Sequence, residues 1–211
     1  MVPSLADPVE NGLVASLARP GGNITGPGAS ELSGKRLELL KEAIPKLSSV
    51  AVLWNPANQG APRQWRQAQS AARLLGVTLQ SCEVKDPKDF PEVLSAIARK
   101  RPDALLTFAS PITTAYRPII VEYATKHRLP TMFDLKAEVE AGGLVSYSPN
   151  LPDLFRRAAH YVDRILKGAK PGELPIEQPT RFELVINLKT AKALGLRIPQ
   201  TLLLQASQII E

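Results

Sequence analysis

Short runs of β-branched and apolar residues alternate with stretches whose apolar positions recur every three to four residues, and this alternation organises the chain from Val50 onward. The strand-like runs are residues 50–55, 78–85, 104–110, 129–134 and 142–148. The first four begin 28, 26 and 25 residues apart, the length that a strand, a helix and two short loops require. Between them lie single amphipathic faces: Trp65, Ala68, Ala72 and Leu75; Phe90, Val93, Leu94 and Ile97; Ile119, Ile120, Tyr123 and Ala124. Gly76 suits a left-handed helix end, and Pro102 and Pro130 mark the exits of the next two helices. An earlier helix over 34–44, with Leu37, Leu40 and Ile44 on one face and Ser33 as its N-cap, feeds the first strand. The pattern predicts an α/β fold, a doubly wound parallel sheet covered on both faces.

After the fifth run the pattern changes. Ser148-Pro149-Asn150 interrupts the series, and a longer helix follows, capped by Asn150, with Leu154, Ala158, Tyr161, Val162 and Ile165 as its buried stripe. It ends at Gly168, residues 169–179 form a proline-rich surface connection, 181–186 read as a strand, and Asn187 caps a short helix that stops at Gly195. Near the amino terminus, Val9, Leu13 and Leu17 give residues 9–18 a helical pattern, followed by a glycine-rich crossing. The expected organisation is a complete α/β lobe over 28–148, parts of another lobe in 1–27 and 149–185, and a C-terminal helix and tail over 186–211. An incomplete lobe leaves helix faces such as Leu154, Tyr161 and Ile165 uncovered, which predicts self-association.

Composition narrows the function classes. With 211 residues, 44% apolar and 22% charged, the chain can bury a core, and no stretch approaches the roughly 20 apolar residues of a membrane span. The first ten residues carry no basic and apolar leader, so the sequence as given reads as lacking a signal peptide. The net charge of +6 raises a nucleic-acid partner, but Lys35, Arg36, Lys41, Arg63, Arg66, Arg99, Lys100 and Arg101 fall on helix faces or ends, mixed with acids. They are expected to be solvated, and no nucleic acid is expected. The single cysteine, Cys82, has no partner for a disulfide or a metal knuckle.

The run from Gly21 to Gly28 fails both glycine-rich templates, with Pro27-Gly28 where a phosphate loop needs Lys and Ser/Thr, and Glu31 at the last glycine of the dinucleotide pattern. The two histidines, His127 and His160, fall in helices, and neither HExxH nor GxSxG occurs. No cofactor and no metal are expected. The topology itself points to the loops beyond the carboxyl ends of the strands, where open α/β sheets bind ligands. Those loops hold Asn55, Asn58, Ser110, Thr113, Asp134, Tyr147 and Asn150, neutral hydrogen-bonding groups with an aromatic and an acid, suited to a small polar or zwitterionic ligand. Several of the same residues could equally cap helices.

The strings Leu13-Val14-Ala15-Ser16-Leu17-Ala18-Arg19-Pro20-Gly21-Gly22-Asn23-Ile24-Thr25-Gly26, Gly34-Lys35-Arg36-Leu37-Glu38-Leu39-Leu40-Lys41, Val50-Ala51-Val52-Leu53-Trp54-Asn55-Pro56-Ala57-Asn58 and Gly142-Gly143-Leu144-Val145-Ser146-Tyr147-Ser148-Pro149-Asn150 resemble the ABC transporter substrate-binding proteins of bacteria. So does Pro179-Thr180-Arg181-Phe182-Glu183-Leu184-Val185-Ile186-Asn187. The group resembled includes members that bind tryptophan and other aromatic amino acids. The resemblance implies a periplasmic-binding-protein-like type I fold, one complete lobe plus part of a second, closing on a small solute in the inter-lobe cleft. It also implies ABC permease membrane subunits as partners, a periplasmic or membrane-anchored extracytoplasmic location and no catalysis. The family's export signal and opening βα units are not found in the sequence as given, so an N-terminally truncated chain is expected. Carried over by position, the ligand-binding residues are Asn55, Asn58, Ser110, Thr113, Asp134 and Tyr147, with Asp7 from the other lobe; Asp134 is expected to accept a ligand ammonium. The alternatives are an effector-sensing domain of a regulator and a small α/β enzyme using Ser110, Asp134 and a histidine.

Overall fold

The computed structural model describes residues 8–28 and 32–211, which form two compact units, Met1–Glu31 with Pro149–Phe182, and Leu32–Ser148 with Glu183–Glu211. Asp7 lies outside the described residues.

The larger unit carries a seven-stranded sheet in the order β2-β1-β3-β4-β5-β6-β7. Its strands are β1 (Ser49–Trp54), β2 (Thr78–Glu83), β3 (Ala104–Thr107), β4 (Thr131–Phe133), β5 (Val145–Pro149), β6 (Phe182–Asn187) and β7 (Gln208–Ile210). The helices of this unit are α1 (Ser33–Ala43), α2 (Ala61–Leu75), α3 (Phe90–Lys100), α4 (Pro111–Ala115), α5 (Arg117–Lys126), α6 (Lys136–Glu140), α8 (Leu188–Leu194) and α9 (Gln200–Gln205); α7 (Leu151–Leu166) belongs to the smaller unit. Strands β1 to β5 are parallel, as the βα spacing predicts. β6 is not: Asn187 N bonds Leu144 O at 2.8 Å while Asn150 N bonds Arg181 O at 3.0 Å, an antiparallel register, and β7 runs parallel to β6. The residues expected as a C-terminal helix and tail therefore run through two helices into the edge strand of the sheet.

Alternation along the strands sorts the core into two layers. Val50, Val52, Trp54, Leu106 and Met132 face α1, α2, α8 and α9 with Leu37, Leu40, Ala68 and Leu202, whereas Ala51, Leu53, Leu105 and Phe133 face α3 and α5 with Ile97 and Ile120. Sequence punctuation acts where it was expected: Gly76 and Gly195 close α2 and α8 in the left-handed conformation, and Asn187 caps α8. Gly143 is required for space, because a Cβ there would stand 2.5 Å from the Phe133 ring. Ser33 does not cap α1; its hydroxyl donates to Gln64 O at 2.9 Å and joins α1 to α2.

In the smaller unit, residues 9–18 form turns and not the expected helix. Gly12 at φ 67° reverses the chain after one turn, Ser16 Oγ accepts from Arg19 N at 3.0 Å, and Pro20 takes the next bond as acceptor from Ala15, so local bonds displace the helical ladder. This segment packs along 171–178: Gly21 N donates to Gly172 O, Ile176 N to Leu17 O and Gly28 N to Glu177 O. Gly172 lies 2.7 Å, measured from an added Cβ, from Gly22 O, so only glycine fits. Asn150 caps α7, accepting from Asp153 N at 2.7 Å. Leu154 and Tyr161 are buried in this unit, against the expectation that they lie uncovered; the exposed apolar residues of α7 are Leu151, Phe155, Val162 and Leu166. Those four fall within one narrow arc of the helix, adjacent to the buried one.

At the amino edge of the sheet, Asp103 Oδ2 accepts from Ser48 N, Ser48 Oγ and Ser49 N at 2.7–2.8 Å, tying the start of β1 to that of β3. Partial burial pushes the Asp103 carboxyl up, but these bonds outweigh it and hold it below its ordinary value. A depressed native pKa contributes stability that is present above the ordinary carboxylate value and lost as pH falls through the native one. Asp103→Asn should therefore lower stability at pH 7 by about 1 kcal/mol, because solvent screens the carboxylate at this exposed position. Urea denaturation of both proteins should show this gap closing below about pH 4, and a gap that is constant with pH would refute the clamp.

Candidate functional site

The strand order places a topological switch between β1 and β3: the connection after β1 leads outward to β2, the one after β3 leads the other way to β4. The loops that follow these two strands diverge, opening a crevice at their carboxyl ends. Asn55 and Asn58 follow β1, and Ser110 and Thr113 follow β3. Asn58 Nδ2 spans the crevice to Ala109 O at 3.2 Å. Asp134 follows β4 and Tyr147 lies in β5, so one edge of one sheet gathers all six described candidates.

They are joined by a residue that the sequence reading placed among solvated surface cations. Arg36, in α1, is only 6% exposed. Its Nε donates to Tyr147 O at 2.7 Å, and Nη1 stands 2.7 Å from Asp134 Oδ1 as a close charge contact. Asp134 Oδ2 in turn accepts from Ala109 N, and Ala109 O takes the Asn58 amide. A single guanidinium thus ties the carboxyl ends of β3, β4 and β5, and through Ala109 the loop after β1. Helical periodicity places Arg36 four and seven residues from Leu40 and Ala43, on the stripe that packs against the sheet, but does not show what would neutralise its charge there.

Burial pushes Asp134 above its ordinary value, opposed by the positive charge of Arg36 and the Ala109 amide; burial likewise pushes Arg36 down, opposed by Asp134. A second buried carboxylate, Glu138 in α6, is also raised by burial, and Arg117 Nε, 3.3 Å from its Oε1, opposes the shift. Asp134, Glu138, Arg117 and Thr113 line a cavity of about 10 Å³ under the loop after β3. Each carboxylate at this edge therefore has its own arginine.

The remaining candidates divide by what their side chains already do. Ser110 and Thr113 form a reciprocal cap on α4: Ser110 N donates to Thr113 Oγ1 at 2.8 Å, Thr113 N to Ser110 Oγ at 3.2 Å, and Thr113 Oγ1 to Phe108 O. Both are buried, and both shape the loop. Asn55 Oδ1 accepts from Ala57 N at 2.9 Å, leaving its amide nitrogen, and Asn58 keeps its carbonyl oxygen, with both residues half-buried. Tyr147 is half-buried beside the core of the α1 face. Burial pushes the Cys82 thiol up to about 11, and Cys82 is a strand residue of the opposite layer, away from these loops. Among the described residues, no group of three or more His, Cys, Asp or Glu could hold a metal ion.

This sheet, with its polar carboxyl edge at the switch point, is the architecture of periplasmic-binding-protein type I domains. The chain belongs to the ABC transporter substrate binding protein family, whose model matches residues 1–210. It is 25% identical over 194 residues to the tyrosine-binding protein of Clostridioides difficile strain R20291, covering 92% of this chain and 56% of that protein. This chain thus spans little more than half the length of that relative. The ABC domain from Streptococcus pneumonia in complex with L-Trp superposes with a TM-score of 0.91 at 27% identity, over 98% of this chain and 70% of that one. A conserved domain protein of Vibrio cholerae O1 biovar El Tor matches with a TM-score of 0.88 at 28% identity, over 97% of this chain and 69% of that one.

Removing one partner of a buried pair strands the other charge. Arg36→Met should cost about 3–5 kcal/mol, with Arg36→Met/Asp134→Leu recovering most of it. Denaturation of the two single variants and the double closes the cycle; additive losses would refute the pairing.

Proposed function

We propose that this chain is a solute-binding component of an ABC-type import system working outside the cytoplasm, and that its ligand is an aromatic amino acid. The observation that carries this reading is the polar carboxyl edge at the switch between β1 and β3, in a chain that matches the substrate-binding family along nearly its whole length. The printed ligands of its relatives, tyrosine and L-Trp, supply the class of solute. In this reading Asn55 Nδ2, Asn58 Oδ1 and Tyr147 meet the ligand, and the Arg36–Asp134 pair holds the edge in shape. Asp134, engaged by Arg36 and Ala109, acts as a positioning group and not as a free acceptor for the ligand ammonium. Ser110 and Thr113 act through the loop they fold. Liganded protein then passes the solute to the membrane subunits of the transporter, the bound state being the one they select.

No chemistry on the solute is part of this reading. His127 follows α5 at the amino edge, against the Tyr123 ring at 4.3 Å, while Ser110 and Asp134 stand at the carboxyl edge, which counts against the enzyme reading. Among the described residues, no helix is long and apolar enough to cross a membrane.

Thermal melts with L-tyrosine, L-tryptophan, L-leucine and glucose test the reading directly. The two aromatic amino acids should raise the melting temperature, and Asn58→Ala should weaken their binding about tenfold, the worth of one hydrogen bond of about 1.4 kcal/mol. A cooperative melt that no amino acid shifts would overturn the assignment.

A further inference from the structure

The amino edge of the same sheet, opposite the proposed solute site, concentrates positive charge around a cleft. Arg99-Lys100-Arg101 ends α3 and Lys126-His127-Arg128 ends α5, and all six residues are exposed. Their five fixed cations, set against the nearby carboxylates Asp103 and Glu122, amount to three of the chain's six net positive charges. The sequence reading treated Arg99, Lys100 and Arg101 as a solvated face mixed with acids. The fold gathers them with Lys126 and Arg128, and among the described residues none of the five is in an ion pair.

Between the two stretches opens a cleft of about 470 Å³, within the range of small-ligand pockets. Arg101, Arg128 and His127 line it, the Tyr123 ring lies tilted against His127, and Pro102 and Leu129 give it apolar lining. Asp103 also lines the cleft, but its Oδ2 is already taken by Ser48 and Ser49. Arg128 Nη2 donates to Ala193 O at 2.8 Å, which anchors its guanidinium. The carboxyl ends of α3 and α5 each bring about half a negative charge to this edge. Even with Asp103 and Glu122 included, the five cations of this edge leave a surplus of about two around a cleft that Arg101 and Arg128 line, more than a single carboxylate neutralises. Two guanidinium forks beside apolar surface fit the oxygens of a phosphate attached to an organic body.

We propose that this amino-edge cleft is an anion site that takes the phosphate of an organic phosphoester, independently of the solute site at the carboxyl edge. The phosphate could be carried by a soluble ester or by a phospholipid headgroup, and the two sources are separable by experiment. Arg101 and Arg128 have φ of 49° and 52°, so the test variant is Arg101→Asn/Arg128→Asn, asparagine being among the non-glycine residues that best tolerate that conformation.

Amide NMR titration of the whole chain with glycerol phosphate, and co-sedimentation with phosphatidylcholine vesicles with and without phosphatidylglycerol, form the two arms. A matching thermal melt checks that the variant is folded. Saturable shifts confined to 97–103 and 123–130, reduced about tenfold in the folded variant and weakened by added salt, support a soluble ester. Phosphatidylglycerol-dependent sedimentation lost in the variant supports a headgroup. Absence of both, equal binding by the variant, or equal shifts with acetate would overturn the proposal. Because L-tyrosine is absent from every arm, none of these results bears on the solute reading.

Discussion

A buried arginine cannot be left alone. Taking the Arg36 guanidinium out of water costs several kcal/mol unless its donors and its charge are met, and the fold meets them with one carboxylate and one strand carbonyl. Asp134 is fixed by that demand, Ala109 N is fixed by Asp134, and Asn58 is fixed by Ala109 O. Four strand ends that sequence brings to one edge acquire a defined spacing through this chain of bonds. An edge built only on loop propensities would lack it, since loops placed by their own turns are the most mobile parts of a domain.

The arrangement also assigns labour among the polar residues. Ser110 and Thr113 spend their hydroxyls on each other and so hold the first turn of α4 in place, while Asn55 and Asn58 use one half of each amide for the loop and retain the other. Charge at the edge is balanced pair by pair, Arg36 with Asp134 and Arg117 with Glu138. Such an edge offers hydrogen-bond geometry and shape more than net charge, which accords with the zwitterionic ligand proposed for it.

Much of this was legible in the sequence. The βα spacing gave the five parallel strands, the caps at Asn150 and Asn187 and the glycine stops at Gly76 and Gly195 fall where composition puts them, and the polar carboxyl-edge loops were read from topology alone. What escaped is what local pattern does not encode. Arg36 reads as a surface cation because cations are seldom buried, and only its partner 98 residues on makes burial tolerable. Residues 9–18 have a helical apolar period, yet Gly12 and the Ser16 bond stop the ladder, and the segment is held instead by 171–178. The reversed β6 and the short β7 are set by the return of the chain from α7, a long-range fact.

The bond from Arg36 to Tyr147 joins residues 111 apart in the chain. Closing a loop of that length costs roughly 4 kcal/mol of chain entropy, which no single hydrogen bond returns. The contact rests on β1, β3 and β4, which bring its ends together. A lobe with one strand unseated has no organised edge, and the order of that edge becomes a report on the completeness of the sheet beneath it.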